Sequence, residues 1–320
     1  MNGLRIAVTG PTGDIGRSLL RALERADGVS EVAAMARGPF APAELGLTKT
    51  EYLRGDVLDR VAVEELVRGA DVVVHLAVPT AGGRTETEQI DLDGSRTVFE
   101  ATVEAGASRL IYPSSLAAPH KARLEAVLRE IVADSASAAY VFRVCTVAGP
   151  DALSLVRNIP YVQLFEVLRR YENPLTAAVL QAVERYPYVK PVLPDPGTRF
   201  QLVDHDDVAD ALTAAVLGRG EPGVYNLAGP GELTVSDLAA ELGWYSLPVP
   251  ESVLESAAEL VTRLPLLPAQ AQWVEALRQS VIMETGKARS ELGWEPRHNA
   301  RETLRETVEA ARRQHLLDLA

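Results

Sequence analysis

A glycine-spaced turn near the start of the sequence has the residue types and spacing needed to hold a phosphate group. The apolar run Leu4–Val8 leads into Thr9-Gly10-Pro11-Thr12-Gly13-Asp14-Ile15-Gly16, and helical spacing follows from Arg17. In such a strand–turn–helix, the first glycine permits a tight turn, the second lets a pyrophosphate approach, and the third lets helix and strand pack closely. Unpaired N–H groups and the helix dipole favour the anion. The predicted dinucleotide-binding residues are Gly10, Thr12, Gly13, Asp14, Ile15 and Gly16.

The residue that selects the dinucleotide is expected at the end of the second strand, about twenty residues beyond the turn. An acidic residue there would bind the ribose hydroxyls of NAD, but this chain has Ala36-Arg37-Gly38. The guanidinium of Arg37 suits the 2′-phosphate of NADP. NADP is therefore favoured. Because Arg37 could instead stack on adenine and tolerate either cofactor, NAD is left open.

The elements that must position these residues alternate between strand and helix. The predicted strands cover residues 4–8, 31–36, 51–56, 71–77 and 109–115, and the predicted helices cover 63–68, 90–105 and 119–134. This alternation predicts βαβ units and a parallel sheet, which is an α/β fold. Between 149 and 200 the rhythm breaks and prolines and tyrosines accumulate, which indicates an inserted cap.

Composition and charge narrow the classes of partner and location. The net charge of −12 argues against a nucleic-acid partner, and no apolar run is long enough to span a bilayer. Cys145 is the single cysteine, which excludes an internal disulfide framework. The run Asp204–Asp207 has no second histidine at ligand spacing, so no metal is expected. We expect a cytoplasmic protein that acts on a small molecule, with no membrane partner, and leave a homodimer open.

A series of short motifs runs along nearly the whole chain in a distinctive order. The motifs are TGPTGDIG at 9–16, GDVLD at 55–59, HLA at 75–77, DLDGS at 91–95, SSLAA at 114–118, FQLVDHDDVADAL at 200–212, VYNLAGPGELTVSDLA at 224–239 and ETGKARSELGWEP at 284–296. Their order and spacing resemble the extended short-chain dehydrogenase/reductase superfamily, in its NAD-dependent epimerase/dehydratase group.

The resemblance implies a domain division and further cofactor contacts. A Rossmann-type doubly wound parallel sheet would occupy residues 1–149 plus about 200–228. A smaller, mostly helical C-terminal lobe for the substrate would occupy 150–199 plus about 229–320. The residues implied to lie beside the cofactor are Asp56, Val57, Leu76, Ala77 and Lys121. His75, at the end of the fourth strand, is expected to pack against the cofactor.

The same family works with a serine, a tyrosine and a lysine in its cleft. The tyrosine exchanges a proton with the substrate oxygen, and the serine hydrogen-bonds that oxygen. Ser115 matches the serine and Lys121 matches the lysine that contacts the nicotinamide ribose. Only five residues separate the two, where relatives carry a longer segment that includes the tyrosine, and the position four before Lys121 is Ala117. The catalytic tyrosine is therefore absent from its expected position.

Two more departures surround the same pocket. The family's asparagine in the fourth helix is replaced by Asp91, and the Arg-Pro after the sixth strand becomes Arg143-Val144. Without the tyrosine, the proton must pass through Lys121, Ser115, His120 or an ordered water. His120 is the first candidate because a histidine side chain exchanges its proton near neutral pH.

Simpler roles for these residues remain open. Ser115 could be a helix N-cap, Lys121 a lysine at a helix edge, and His120 a partly exposed loop histidine. The cap tyrosines at 161, 171, 186 and 188 could also reach the cleft.

We therefore expect an NAD(P)-dependent oxidoreductase that acts on a small organic substrate, such as a sugar or a secondary metabolite, with a degenerate Ser–Lys site. Two alternatives remain. A dehydratase or cyclase could use the same cleft without net redox chemistry, and its turnover would leave the nicotinamide unchanged. An inactive NADP-binding sensor or scaffold would bind NADPH without turnover.

Overall fold

The computed structural model describes residues 3–78, 84–115, 119–170, 190–250 and 280–317. The strands in these ranges are β1 Leu4–Thr9, β2 Val29–Ala36, β3 Thr50–Arg54, β4 Val72–His75, β5 Arg109–Ser114, β6 Ala138–Val144, β7 Thr146–Ala148, β8 Val192–Asp195, β9 Arg199–Phe200, β10 Leu202–Asp204, β11 Gly223–Leu227, β12 Leu233–Thr234 and β13 Tyr245–Pro248. The helices are α1 Gly16–Arg25, α2 Arg60–Val67, α3 Arg84–Glu104, α4 Pro119–Val132, α5 Ser154–Arg157, α6 Pro160–Arg170, α7 His205–Val216, α8 Val235–Leu242, α9 Gly286–Leu292 and α10 Ala300–Arg313, with a 3-10 turn at Pro42–Leu45.

The chain divides into two compact units. The first contains Met1–Cys145, His205–Ala228 and Met283–Arg297, and the second contains Thr146–Asp204, Gly229–Ile282 and His298–Ala320. The sequence-based division placed residues 229–320 entirely in the second lobe, whereas residues 283–297 belong to the first unit, and its boundaries at 149 and about 200 differ by a few residues.

Contacts of residues 283–297 explain that difference. The Trp294 indole Nε1 donates a hydrogen bond to the Asp207 carbonyl oxygen at 2.7 Å. The Arg297 backbone N–H donates to the Asp207 carboxylate at 3.0 Å. Helix α9 also packs against β11 and α7. These contacts hold the segment to the first unit.

A seven-stranded parallel sheet forms the centre of the first unit, in the order β11-β6-β5-β4-β1-β2-β3. From β1 the strand order runs outward in both directions, so the carboxyl ends of β1 and β4 meet at the topological switch point. Ligands of doubly wound sheets bind at this point, in the crevice outside the carboxyl ends of the strands. The doubly wound α/β sheet predicted from the sequence is confirmed, with β1 parallel to β4 from Ile6↔Val72 to Thr9↔His75.

Continuous apolar runs form these central strands because both faces of the sheet are covered. Residues 6–8 of β1 and 72–74 of β4 are completely buried. One face packs against α2, α3 and α4 around Phe99, Leu110 and Leu128. Helix α2 starts earlier than the predicted 63, because the Asp59 side chain caps it by accepting hydrogen bonds from the backbone N–H groups of residues 61 and 62.

The second unit combines short paired strands with helices. Strands β10 and β7 pair in parallel, β12 and β9 antiparallel, and β13 and β8 in parallel. Its core surrounds Leu202, Val235 and Leu304, which are fully or almost fully buried. Capping boxes start α8 at Thr234 and α10 at Asn299. Within the described ranges, none of the helices combines the length and apolar character needed to cross a membrane.

Candidate functional site

The turn after β1 requires glycine at two of its three glycine positions. Gly10 has a φ of +72°, and a Cβ added there would lie 2.7 Å from the Ala77 backbone nitrogen. A Cβ at Gly16 would overlap the Gly10 carbonyl oxygen. At Gly13 an added Cβ would meet only the Gly10 oxygen, at 3.6 Å, which is ordinary contact. Gly10 and Gly16 are thus needed for the close packing of the turn backbone, whereas Gly13 leaves an open space above the turn.

The outer side of this turn is accessible. Thr12 and Gly13 are exposed, and Asp14 and Ile15 are partly exposed. Helix α1 begins directly after Ile15, whose side chain makes no capping hydrogen bond. The first N–H groups of a helix otherwise need an external acceptor, and the positive end of the dipole favours an anion. The cradle therefore fits the diphosphate of a dinucleotide.

Buried polar contacts join the ends of β1 and β4 beneath the turn. The backbone N–H groups of Leu76 and Ala77 donate to the Thr9 carbonyl oxygen and hydroxyl, at 3.1 and 3.2 Å. The Thr9 hydroxyl also lies 2.7 Å from His75 Nδ1, and His75 Nε2 lies 2.9 Å from the Ser95 hydroxyl on α3. Both ring nitrogens of His75 are thus engaged by the protein.

His75 is held in its neutral form. Burial lowers its pKa to about 3; the positive charge of Lys121 adds to this effect and the negative charge of Asp91 opposes it. Its ring stacks on Tyr112, with centroids 5.9 Å apart. His75 is therefore a structural link between β1, β4 and α3 rather than a proton donor; its predicted packing against a cofactor stays a prediction.

Three ionisable side chains meet between α3 and the first turn of α4. His120 and Lys121 lie in the first turn of α4, and Asp91 lies on α3. The Lys121 ammonium is 2.7 Å from Asp91 Oδ2, and His120 Nε2 is 3.0 Å from the same oxygen. The side chains are 9%, 23% and 2% exposed for Lys121, His120 and Asp91. We call these three residues the Asp91 cluster.

Several sequence-predicted residues are thereby placed. Lys121 is buried rather than at an exposed helix edge, and His120 belongs to a helix rather than to a loop. Ser115 follows β5 directly and is partly exposed, and its catalytic role stays a prediction. Outside the described residues lie Ala117, at the position of the family's tyrosine, and the cap tyrosines 171, 186 and 188.

Tyr112 is the tyrosine beside the Asp91 cluster, yet its environment opposes ionisation. The Lys121 ammonium lies 5.4 Å from its ring centroid. Burial, followed by the negative charges of Asp91 and Glu125, raises the pKa of Tyr112 far above its ordinary value. Because Tyr112 keeps its proton and is only 2% exposed, it does not replace the missing tyrosine.

An ion pair between a buried glutamate and a partly exposed arginine joins α4 to the sheet. The Arg143 guanidinium on β6 donates to both oxygens of Glu125 on α4, at 3.0 and 2.7 Å. The Ser114 hydroxyl at the end of β5 donates to the same carboxylate at 2.7 Å. Burial alone would raise the pKa of Glu125, but the bonds from Arg143 and Ser114 outweigh it, and the pKa is lowered. Because Glu125 lies one turn after Lys121, the bonds from Arg143 and Ser114 to Glu125 also help to position Lys121 in the Asp91 cluster.

Sequence reasoning missed the ion pair between Arg143 and Glu125. It also missed that His120 and Lys121 both contact Asp91. A signal was present: Glu125 is a charged residue within the apolar stripe of α4, beside Leu124 and Leu128. A charge at such a position is expected to have a buried partner.

The remaining predicted cofactor residues lie at the carboxyl ends of β2 and β3. Arg37 is exposed directly after β2. The Asp56 carboxylate accepts a hydrogen bond from the Leu58 backbone N–H at 3.1 Å, which shapes the turn after β3. Val57 packs against Gly94 of α3, where a Cβ would lie 2.6 Å from a Val57 methyl carbon. Contact of Asp56 and Val57 with adenine stays a prediction.

Comparisons with known proteins found a matching family model and similar sequences. A model of the NAD dependent epimerase/dehydratase family matches residues 6–228. The uncharacterized protein Rv2047c of Mycobacterium tuberculosis is 30% identical over 312 residues, which are 97% of this chain and 30% of that protein. The present chain thus spans about three tenths of that relative's length. Ceramide reductase of Caulobacter vibrioides is 38% identical over 114 residues, 35% of each chain.

A solved structure shares the same fold at low identity. The dTDP-glucose 4,6-dehydratase DesIV of Streptomyces venezuelae, with NAD and TYD bound, has a TM-score of 0.70 and 20% identity, and covers 98% of both chains. At this identity the likeness concerns the fold alone.

Proposed function

Because this chain belongs to the NAD-dependent epimerase/dehydratase family, we propose that it is an oxidoreductase that interconverts a carbonyl and a hydroxyl group on a small organic substrate, with NADP as the preferred cofactor. A bound nicotinamide would supply or accept the hydride. The relative named ceramide reductase, which matches 35% of this chain, supports redox chemistry over a dehydratase or cyclase reaction. The cradle of residues 10–16 would hold the diphosphate.

The observation that carries the proposal is the Asp91 cluster. Reduction of a carbonyl adds a hydride to carbon and a proton to oxygen, so the protein must deliver a proton near the nicotinamide. His120 and Lys121 both lie within 3.0 Å of one buried carboxylate oxygen. In this proposal, these two side chains would take the part that the resemblance assigns to the tyrosine–lysine pair.

We assign the proton transfer to His120. Its side chain is 23% exposed, whereas Asp91 and Lys121 are almost fully buried, so His120 can recover a proton from water. Because Nε2 is engaged by Asp91, Nδ1 is the ring nitrogen that would donate to the substrate oxygen.

The other residues take supporting roles in this proposal. Lys121, held by Asp91, would contact the nicotinamide ribose, and Ser115 would hydrogen-bond the substrate oxygen. An aspartate in place of the family's asparagine fits this assignment, because the buried Lys121 ammonium needs a compensating charge. Arg37 supports NADP, since residues 36–38 offer no carboxylate for ribose hydroxyls.

An isotope-transfer experiment tests the reaction class. The full chain is incubated with NADPH that carries deuterium at the transferable C4 position and with a panel of ketones that includes sugar-like and long-chain compounds. The proposal expects deuterium on the carbinol carbon of a product, detected by mass spectrometry. Turnover of a substrate without label in the product would show a non-redox reaction and overturn the proposal.

Variants test the proton route with the substrate found in this way. His120→Ala should lower kcat by about two orders of magnitude, the typical contribution of a general acid. Glu130→Gln, which changes an exposed charge on the same helix, is the control and should leave kcat within about twofold. Unchanged kcat in both His120→Ala and Lys121→Ala would rule out this route.

A further inference from the structure

Side chains of β3 hold the turn that follows β2 in place through three consecutive carbonyl groups. The Tyr52 hydroxyl donates to the Gly38 carbonyl oxygen at 2.6 Å and lies 3.3 Å from that of Ala36. The Arg54 Nε donates to the Arg37 carbonyl oxygen at 3.3 Å. The segment at which the cofactor is chosen is therefore shaped by its neighbouring strand.

These bonds place a second guanidinium beside Arg37. In the β2–β3 register, Arg54 is the partner of Ala36, so Arg37 and Arg54 leave adjacent strands at the same edge of the sheet. Adjacent strands lie about 4.8 Å apart. Both side chains are exposed. In a chain whose net charge is −12, this corner carries two neighbouring positive groups.

The chemistry of a 2′-phosphate calls for such a pair. A phosphomonoester carries close to two negative charges at neutral pH and three acceptor oxygens, which exceeds what one guanidinium neutralises. A guanidinium has five N–H donors in a planar fork. With Nε used on the Arg37 carbonyl, Arg54 has both terminal nitrogens to offer to a phosphate.

We propose that Arg37 and Arg54 together form a two-guanidinium site for the 2′-phosphate of NADP, and that Arg54 determines the preference for NADP over NAD. The inference rests on the proposed use of a dinucleotide by this chain. Tyr52 is a positioning residue of the site: it fixes the backbone of residues 36–38 and touches no part of the phosphate.

Binding measurements test the pair without reference to turnover. The dissociation constants of NADP⁺ and NAD⁺ are measured by isothermal titration calorimetry on the full chain and on Arg54→Ala, Arg54→Lys and Arg37→Ala. Arg68→Ala removes another exposed arginine of the first unit and serves as the control. Competition by 2′-AMP and by 5′-AMP isolates the contribution of the phosphate position.

Arg54→Ala is expected to weaken NADP⁺ binding by about tenfold, the effect of one charge-assisted contact, and to leave NAD⁺ binding within about twofold. Arg54→Lys should keep part of the preference, because the charge remains and the fork is lost. The 2′-AMP advantage over 5′-AMP should shrink in parallel.

Each contrary result has a distinct meaning. Equal losses for NADP⁺ and NAD⁺ in both Arg54 variants would show that Arg54 only shapes the turn, and would overturn the inference. A wild-type chain that binds NAD⁺ more tightly than NADP⁺ would overturn it while leaving the proposed redox reaction intact. Failure to bind either dinucleotide would overturn both proposals. Arg54→Lys keeps the test decisive if Arg54→Ala does not fold.

Discussion

The Asp91 carboxylate and the Lys121 ammonium form an ion pair with 2.7 Å between Oδ2 and Nζ, although their side chains are only 2% and 9% exposed. Burying either charge alone would be costly, and each makes the position of the other tolerable. His120 joins the same oxygen from the partly exposed side of α4. The pair therefore explains how an aspartate can stand on α3 where the resemblance implies an asparagine.

Asp91→Asn is expected to destabilise the protein. The amide keeps the shape of the side chain but leaves Lys121 buried without a counter-charge, and the loss from breaking such a pair is about 3 kcal/mol. The free energy of unfolding, measured in urea, should fall by that order. Asp93→Asn, on the exposed face of the same helix, is the matched control and should stay within about 0.5 kcal/mol. Equal stability of both variants would show that the pair is not formed.

Glu125→Gln is expected to destabilise the protein in a way that depends on pH. The pKa of Glu125 is lowered from 4.5 in the folded chain, where Arg143 and Ser114 bond the carboxylate. The stabilisation is therefore present above the unfolded pKa and is lost as the pH falls through the folded pKa. We expect a loss of about 1–2 kcal/mol at pH 7, discounted because Arg143 is partly exposed.

Urea unfolding of wild type and Glu125→Gln between pH 3 and pH 8 checks this expectation. The gap in the free energy of unfolding between wild type and Glu125→Gln should be largest above pH 4.5 and should narrow below it. Glu130→Gln is the control at each pH. A gap that is constant across the range would mean that the carboxylate has the same pKa in both states.

His75 also makes the folded protein sensitive to acid, at a higher pH than Glu125. Its pKa is about 3 in the folded chain against 6.5 for the free side chain. Between these values the unfolded state binds a proton that the folded state does not, so wild-type stability falls as the pH drops below 6.5. The contribution approaches about 1.4 kcal/mol per pH unit.

His75→Asn removes this proton linkage while keeping a polar side chain between Thr9 and Ser95. At pH 8 the variant should be less stable than wild type, because the two imidazole hydrogen bonds are altered. On acidification to pH 5 the difference should shrink, as measured by chemical unfolding. A difference in stability that does not change with pH would show that His75 has the same pKa in the folded and unfolded states.

Local features of the fold could be predicted from the sequence because a few residues determine them. The turn at 9–16 depends on glycine geometry within eight residues, and the parallel sheet follows from the alternation of apolar strands with amphipathic helices. The convergence on Asp91 could not be predicted, because Lys121 lies thirty positions after Asp91 and nothing in the spacing fixes how α3 packs on α4. The placement of 283–297 failed for a similar reason, since its partner Asp207 is remote in the chain.

The glycine turn yields a prediction that separates folding from binding. Gly13→Ala introduces a methyl group that would meet only the Gly10 oxygen at an ordinary 3.6 Å, so the melting temperature should change little. Dinucleotide binding should weaken by about tenfold or more, because the methyl group occupies the space through which a pyrophosphate approaches the backbone.

Gly10→Ala is the contrasting variant: its φ of +72° and the 2.7 Å approach to Ala77 should lower the melting temperature itself. Thermal unfolding and calorimetric titration with NADP⁺ measure the two effects on the same samples. Undiminished binding by Gly13→Ala would place the diphosphate elsewhere and would remove the basis for a cofactor in this cradle.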